Sequence, residues 1–174
     1  MKKIYIVLTY TGTILSKLVK IYTKKEYSHV SIALDEDLNE MYSFGRTFAY
    51  CPFIAGFVHE ELDKGTFKRF KKTKTRIYSL QVPDEKYEKV IDVINNIKEH
   101  RKEYDFNIIG LFCVAINLKF KREKSFYCAE FVKYVLEQSN INKSLPELIK
   151  PEDFKDLKGI NVEYSGILKE YNSY

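Results

Sequence analysis

The segment Tyr27-Ser28-His29-Val30-Ser31-Ile32-Ala33-Leu34 commits the chain to a β-strand, because β-branched and aromatic residues alternate in it with small polar ones. A period of two puts Val30, Ile32 and Leu34 on one face and His29, Ser31 and Ala33 on the other. The first face must be covered by other apolar surface. The second is less apolar, and a cleft can open there. Asp35-Glu36-Asp37 supplies a polar turn, and Leu38 to Phe44, ended by Gly45, reads as the returning strand of a hairpin.

The rest of the chain supplies what such a hairpin needs. Ile4 to Leu8 is a short apolar run closed by Thr9-Tyr10-Thr11-Gly12, a buried strand. Ile14, Leu15, Leu18 and Ile21 are spaced for a short helix. Pro52, Gly56 and Gly65 break up residues 46–75, which carry no clear pattern. Arg76 to Val82 reads as a strand. A helix follows from Asp84 to about His100, with Tyr87, Val90, Ile91, Ile94 and Ile97 on one face. Phe106 to Leu118 is apolar almost all round, which predicts a helix buried in the core. At 1.5 Å per residue it spans about 18 Å and is too short for a bilayer. A last strong helix runs from about Phe126 to Gln138. A turn of helix at Glu152 to Leu157 and a weak closing strand, Ile160 to Tyr164, complete the pattern. Strand, helix, hairpin, strand and helices in this order predict an α+β fold on an antiparallel sheet, one domain over 1–174.

Three cysteines, Cys51, Cys113 and Cys128, form neither a CxxC pair nor a Cys/His metal spacing. A disulfide framework and a zinc site are therefore not expected, and no cofactor is implied. With no signal-peptide core and no membrane span in the sequence, the expected location is the cytoplasm. The formal charge of +5 permits attraction to an anionic surface without demanding it.

Two residues carry the chemistry. Cys128, in Ser125-Phe126-Tyr127-Cys128-Ala129-Glu130-Phe131, falls in the first turn of the last strong helix. Unpaired N–H groups and the helix dipole there lower a thiol's pKa. Ser125 is a candidate cap for that helix. Without a partner, such a cysteine is simply a small buried hydrophobe. His29 supplies the partner: a thiol nucleophile needs an imidazole to take its proton and return it to the leaving group.

These two motifs, Tyr27-Ser28-His29-Val30-Ser31-Ile32 with its hairpin partner and Phe126-Tyr127-Cys128-Ala129-Glu130-Phe131-Val132, resemble the permuted papain-like group of NlpC-type cysteine amidases and peptidases, the YaeF/YiiX type. Lecithin:retinol acyltransferase-like enzymes are similar in arrangement. In ordinary NlpC-type enzymes the cysteine helix comes first. In the permuted group the histidine strand precedes it, as here, and the order of elements matches from about Ile4 to Gln138. The resemblance implies a circularly permuted papain-like fold, with the sheet packed against helices. It also implies a third polar residue, on the strand after the histidine strand, that orients the imidazole. By strand order that position is about Ser43, with Glu40 and Tyr42 as rivals. Ser43 carries no charge to stabilise an imidazolium. The backbone N–H of Cys128 would meet the oxyanion, with Tyr10 one candidate for the second donor.

The expected activity is that of a thiol hydrolase, an amidase or peptidase or an acyltransferase. It would work through an acyl-enzyme on Cys128 with a small amide, peptide or lipid-like substrate. The alternative is a non-enzymatic membrane- or nucleic-acid-binding module on a degenerate hydrolase scaffold. The segment Lys64 to Arg76 holds seven basic residues and no acid, with Phe67 and Phe70 among them. It fits contact with an anionic surface, more readily a membrane than a nucleic acid, or a solvated loop and edge strand. Lys119-Phe120-Lys121-Arg122 adds to the same charge. His59, His100 and Cys113 have no neighbours in sequence that suggest chemistry, and Cys51 at most borders a cleft.

Overall fold

The computed structural model describes residues 1–48, 51–141 and 145–173. Its frame is a six-stranded sheet in the order β4-β3-β2-β1-β5-β8, every neighbouring pair antiparallel. The strands are β1 (Lys2–Tyr10), β2 (His29–Ala33), β3 (Met41–Phe48), β4 (Cys51–Glu60), β5 (Lys74–Val82) and β8 (Ile160–Ile167). The helices are α1 (Ile14–Thr23), α2 (Gly65–Arg69), α3 (Asp84–Glu99), α4 (Ile108–Ala115) and α5 (Cys128–Gln138). Two short strands, β6 (Asp105–Phe106) and β7 (Ser125–Phe126), pair in parallel beside the helix starts.

β1 lies at the centre of the sheet because its side chains are apolar on both faces. Ile4, Ile6 and Leu8 enter the larger core with Val30, Ile32, Tyr42, Phe44 and Leu80. α3 covers this face with Val90, Ile94 and Ile97, and α5 with Phe131, Val132, Val135 and Leu136. Tyr5 and Val7 point the other way, into a smaller core with Ala33, Met41, Phe67, Ile77 and Leu168. The fold is thus α+β, with an antiparallel sheet packed against helices.

Several elements differ from expectation. Residues 46–75 contain β4 and α2, hidden in the sequence because β4 is an edge strand carrying Pro52 and Gly56. The basic segment is divided between α2 and β5, and β5 is interior, between β1 and β8, not an edge strand. Its Phe67 is buried in the smaller core. β8 runs on to Ile167.

α4 differs most. It is not enclosed: Leu111 and Val114 are buried, while Ile108, Ile109 and Phe112, with Ile116 just beyond its end, are 42–60% exposed. The helix lies on the outside of the molecule with one face packed. No helix among the described residues is long and apolar enough to cross a membrane.

Phe131 holds α5 to the sheet. It is fully buried, with ring centroids 5.3 Å from Phe44 and 5.7 Å from Phe57. Phe131→Ala should cost about 3–5 kcal/mol in urea denaturation, because the aromatic cluster has no other side chain to fill the space. Val162→Ala, on the exposed side of β8, should cost less than about 0.5 kcal/mol in the same measurement.

Candidate active site

The extended chain of β7 sets the start of α5. Phe126 pairs with Phe106 of β6, so the backbone stays extended through Phe126 and the helix begins at Cys128 with Tyr127 as its cap. Ser125 is therefore too early to cap it and lies buried in β7. The Glu130 carboxylate accepts from the Tyr127 N–H at 3.2 Å, and the Tyr127 hydroxyl donates to the Ile149 carbonyl at 2.9 Å. Asn107 ties the starts of two helices together. Its amide donates to Glu130 at 3.1 Å, and its side-chain oxygen accepts from the Gly110 N–H at 2.8 Å, capping α4. A Cβ on Gly110 would stand 2.2 Å from Asn107 Nδ2, so the cap requires glycine there. Cys128 is thereby fixed at the first position of α5, where backbone N–H groups lack helical partners.

His29 opens β2. The pairing of Ala33 with Met41, and of Met41 with Glu60, puts His29, Ser31, Ser43, Gly45 and Glu60 on one face of the sheet. The Glu60 carboxylate sits 2.9 Å from His29 Nε2 and also accepts from the Ser31 hydroxyl. Ser31 Oγ is itself 3.4 Å from Nε2. Cys128 lines the same cavity as this imidazole and helps to raise its pKa. Gly45 makes room for this group: a Cβ there would come within 3.3 Å of His29 Cε1 and 3.9 Å of Glu60 Oε1.

Burial works against a charged imidazole. The charge of Glu60 and the hydrogen bonds from Cys128 and Glu60 outweigh it, and His29 is pushed up from 6.5 to about 10. The side chains of His29 and Glu60 keep 21% and 13% of their surface open. They and Cys128 line one cavity of about 80 Å³, whose walls come from α1 (Ser16, Val19), β3 (Phe44, Arg46) and α4 (Leu111).

Other sequence candidates lie elsewhere. Ser43 shares the His29 face, but its hydroxyl donates to the Val30 carbonyl at 2.8 Å, and it is the carboxylate of Glu60 that meets the imidazole. Glu40 accepts from the Tyr42 hydroxyl, and the Tyr42 ring is in the larger core, stacked on His59 at 4.9 Å. Tyr10 carries the Lys20 ammonium over its ring at 4.6 Å and lines a separate open hollow. Thr11, Thr13 and Ser28 bring hydroxyls to the Cys128 cavity where Tyr10 does not. His100 bonds the Asn96 carbonyl, away from the site. Cys113 is a free thiol, half-buried in α4, and the side chain of Cys51 lies outside the described residues.

Sequence reasoning passed over Glu60 and gave Ser31 no role. The signal for Glu60 was its place among the acids His59-Glu60-Glu61. It becomes readable only when residues 51–60 are paired with β3 in register.

No protein-family model matches the sequence, and no curated protein matches it. Among solved structures, the chain is similar to one described as the metalloprotein yiiX from Escherichia coli O157:H7, of a family designated DUF1105. The two share 11% identity with a TM-score of 0.53, over 95% of this chain and 98% of that one, a likeness of fold across nearly the whole length of both.

Proposed function

We propose that the protein is a cysteine hydrolase or acyltransferase on a circularly permuted papain-like fold, with Cys128 as nucleophile, His29 as acid and base, and Glu60 as the residue that positions His29. The observation that carries this reading is that Cys128, His29 and Glu60 line one open cavity, with the Glu60 carboxylate 2.9 Å from His29 Nε2. The order of histidine strand before cysteine helix and the likeness to yiiX support the fold assignment.

In the reaction, the Cys128 proton already resides on His29, and Cys128 Sγ attacks the carbonyl carbon of an amide or ester as a thiolate paired with the imidazolium. The oxyanion forms next to the N–H groups at the start of α5. The C–N or C–O bond then breaks as His29 gives its proton to the leaving group, and a thioester remains on Cys128. Water, or an acceptor alcohol or amine, attacks that thioester and gives its proton to His29. The C–S bond breaks and the thiolate is restored. The Glu60 carboxylate holds the ring orientation and stabilises the imidazolium of each half-reaction. Arg46, at the cavity wall, favours a substrate with an anionic group near the scissile bond. The yiiX title names a metalloprotein. Among the described residues here, no three His, Cys, Asp or Glu side chains converge to hold a metal ion, so no step is assigned to one.

Iodoacetamide at neutral pH should modify Cys128 ahead of Cys113, as read by peptide mass spectrometry, and His29→Ala should slow that modification at least about tenfold. Equal labelling of the two thiols, or no effect of His29→Ala, would count against a nucleophilic Cys128.

The pH dependence of stability tests Glu60 separately. Because the folded-state pKa of His29 is raised, the stability it contributes is fully present below about 6.5 and is lost as pH rises through about 10. Glu60→Gln removes the main source of that rise. The difference in denaturation midpoint between wild type and Glu60→Gln should be largest near pH 6 and narrow steadily as pH rises toward about 10. A difference that stays constant across that range would mean Glu60 acts by packing alone.

A further inference from the structure

We infer that the outer face of α4, with the basic loop that follows it, docks the protein on an anionic lipid surface. Ile108, Ile109, Phe112 and Ile116 follow one another at helical spacing on the solvent side, and Leu118 and Phe120 in the loop that follows are exposed as well. All six are exposed. Apolar side chains scattered singly over a surface are ordinary, but a contiguous row on one helix marks a site that something covers.

The rim identifies the occupant. Lys119, Lys121, Arg122 and Lys124 follow the helix, all exposed, with Glu123 the one acid among them. Lys119, Arg122 and Lys124 hold the exposed carboxylates of Glu147, Asp105 and Glu103. Such exposed pairs are weak and exchange readily for phosphate. α1 packs beside α4 and brings a second, mainly basic area, a hollow where Lys17, Lys20, Lys24 and Lys25, with Glu26 the one acid, surround Ile21, itself 68% exposed. An apolar stripe that runs into a basic loop, with further lysines on the neighbouring helix, is the pattern of an interfacial helix, whose apolar face enters the headgroup boundary while the cations meet anionic lipid. The segment from Lys64 to Arg76 lacks this pattern, because its Phe67 is buried in the smaller core. The inner side of α4 presents Leu111 to the cavity that holds Cys128, so a bilayer against the outer side would lie about one helix diameter, ~10 Å, from the thiol.

The surface stands apart from the thiol chemistry and is tested without it. The full chain is sedimented with phosphatidylcholine vesicles, alone or containing about one-third phosphatidylserine. Binding is expected to the anionic vesicles, to weaken with salt, and to fall at least about tenfold in Phe112→Glu and in Ile109→Glu. Lys121→Glu should weaken it less, and Val162→Glu, an equally exposed apolar position on β8, should leave it unchanged. Circular dichroism melts check that each variant is folded, and all four positions are exposed. No binding by the wild type, or equal binding by Phe112→Glu and wild type, overturns the proposal. So does a wild-type dimer that Phe112→Glu dissolves in the absence of any vesicle binding, since a second copy then covers the face.

Discussion

The contact between the Glu60 carboxylate and His29 Nε2 depends on the sheet more than on either residue. A carboxylate on β4 and an imidazole on β2 belong to strands separated by β3, so they meet only if both pairings keep register. A slip of one residue in either pairing would turn one side chain to the opposite face. Gly45 on the strand between them is the local concession that closes the gap, because any side chain there would occupy the space in which ring and carboxylate meet. Register also fixes which ring nitrogen meets the carboxylate: Glu60 holds Nε2.

The second half of the site is fixed by a different kind of constraint. Cys128 owes its place to the extended pair β6–β7, which holds the chain straight until one residue before the helix begins, and to Glu130, which reaches back to the cap. Asn107 transmits this to α4 by capping that helix while bonding the same Glu130 carboxylate. The starts of α4 and α5 are therefore one hydrogen-bonded unit, and the wall of the cavity cannot shift without disturbing the helix that carries the thiol.

What the sequence disclosed follows the same division. The strands β1 and β2 and the helices α3 and α5 were legible because each buries an apolar face, and burial writes a period into the sequence. That His29 and Cys128 line one cavity was foreshadowed by their places at the start of a strand and of a helix. Glu60 was not, because an edge strand carries proline and glycine and leaves a polar pattern, and because its partner lies on a strand it does not touch. Ser43 was a reasonable choice by order along the chain and shares the correct face. Its hydroxyl, however, is committed to the Val30 carbonyl, and strand order alone cannot tell a hydroxyl held by the backbone from a carboxylate free to reach an imidazole.

α4 is instructive in the opposite sense. Its composition is that of a core helix, yet a helix is enclosed only where the fold supplies a second layer. Here α3 and α5 already cover the larger face of the sheet, and α4 is left with a single packed side, reached by Leu111 and Val114. A chain could satisfy that position with polar residues outside, as α3 does with its charged outer face. Isoleucine and phenylalanine at Ile108, Ile109, Phe112 and Ile116 add nothing to the packed side, and exposed in water they raise the risk of aggregation. Their presence is accounted for by a surface that buries them, and the basic loop after the helix gives that surface its sign.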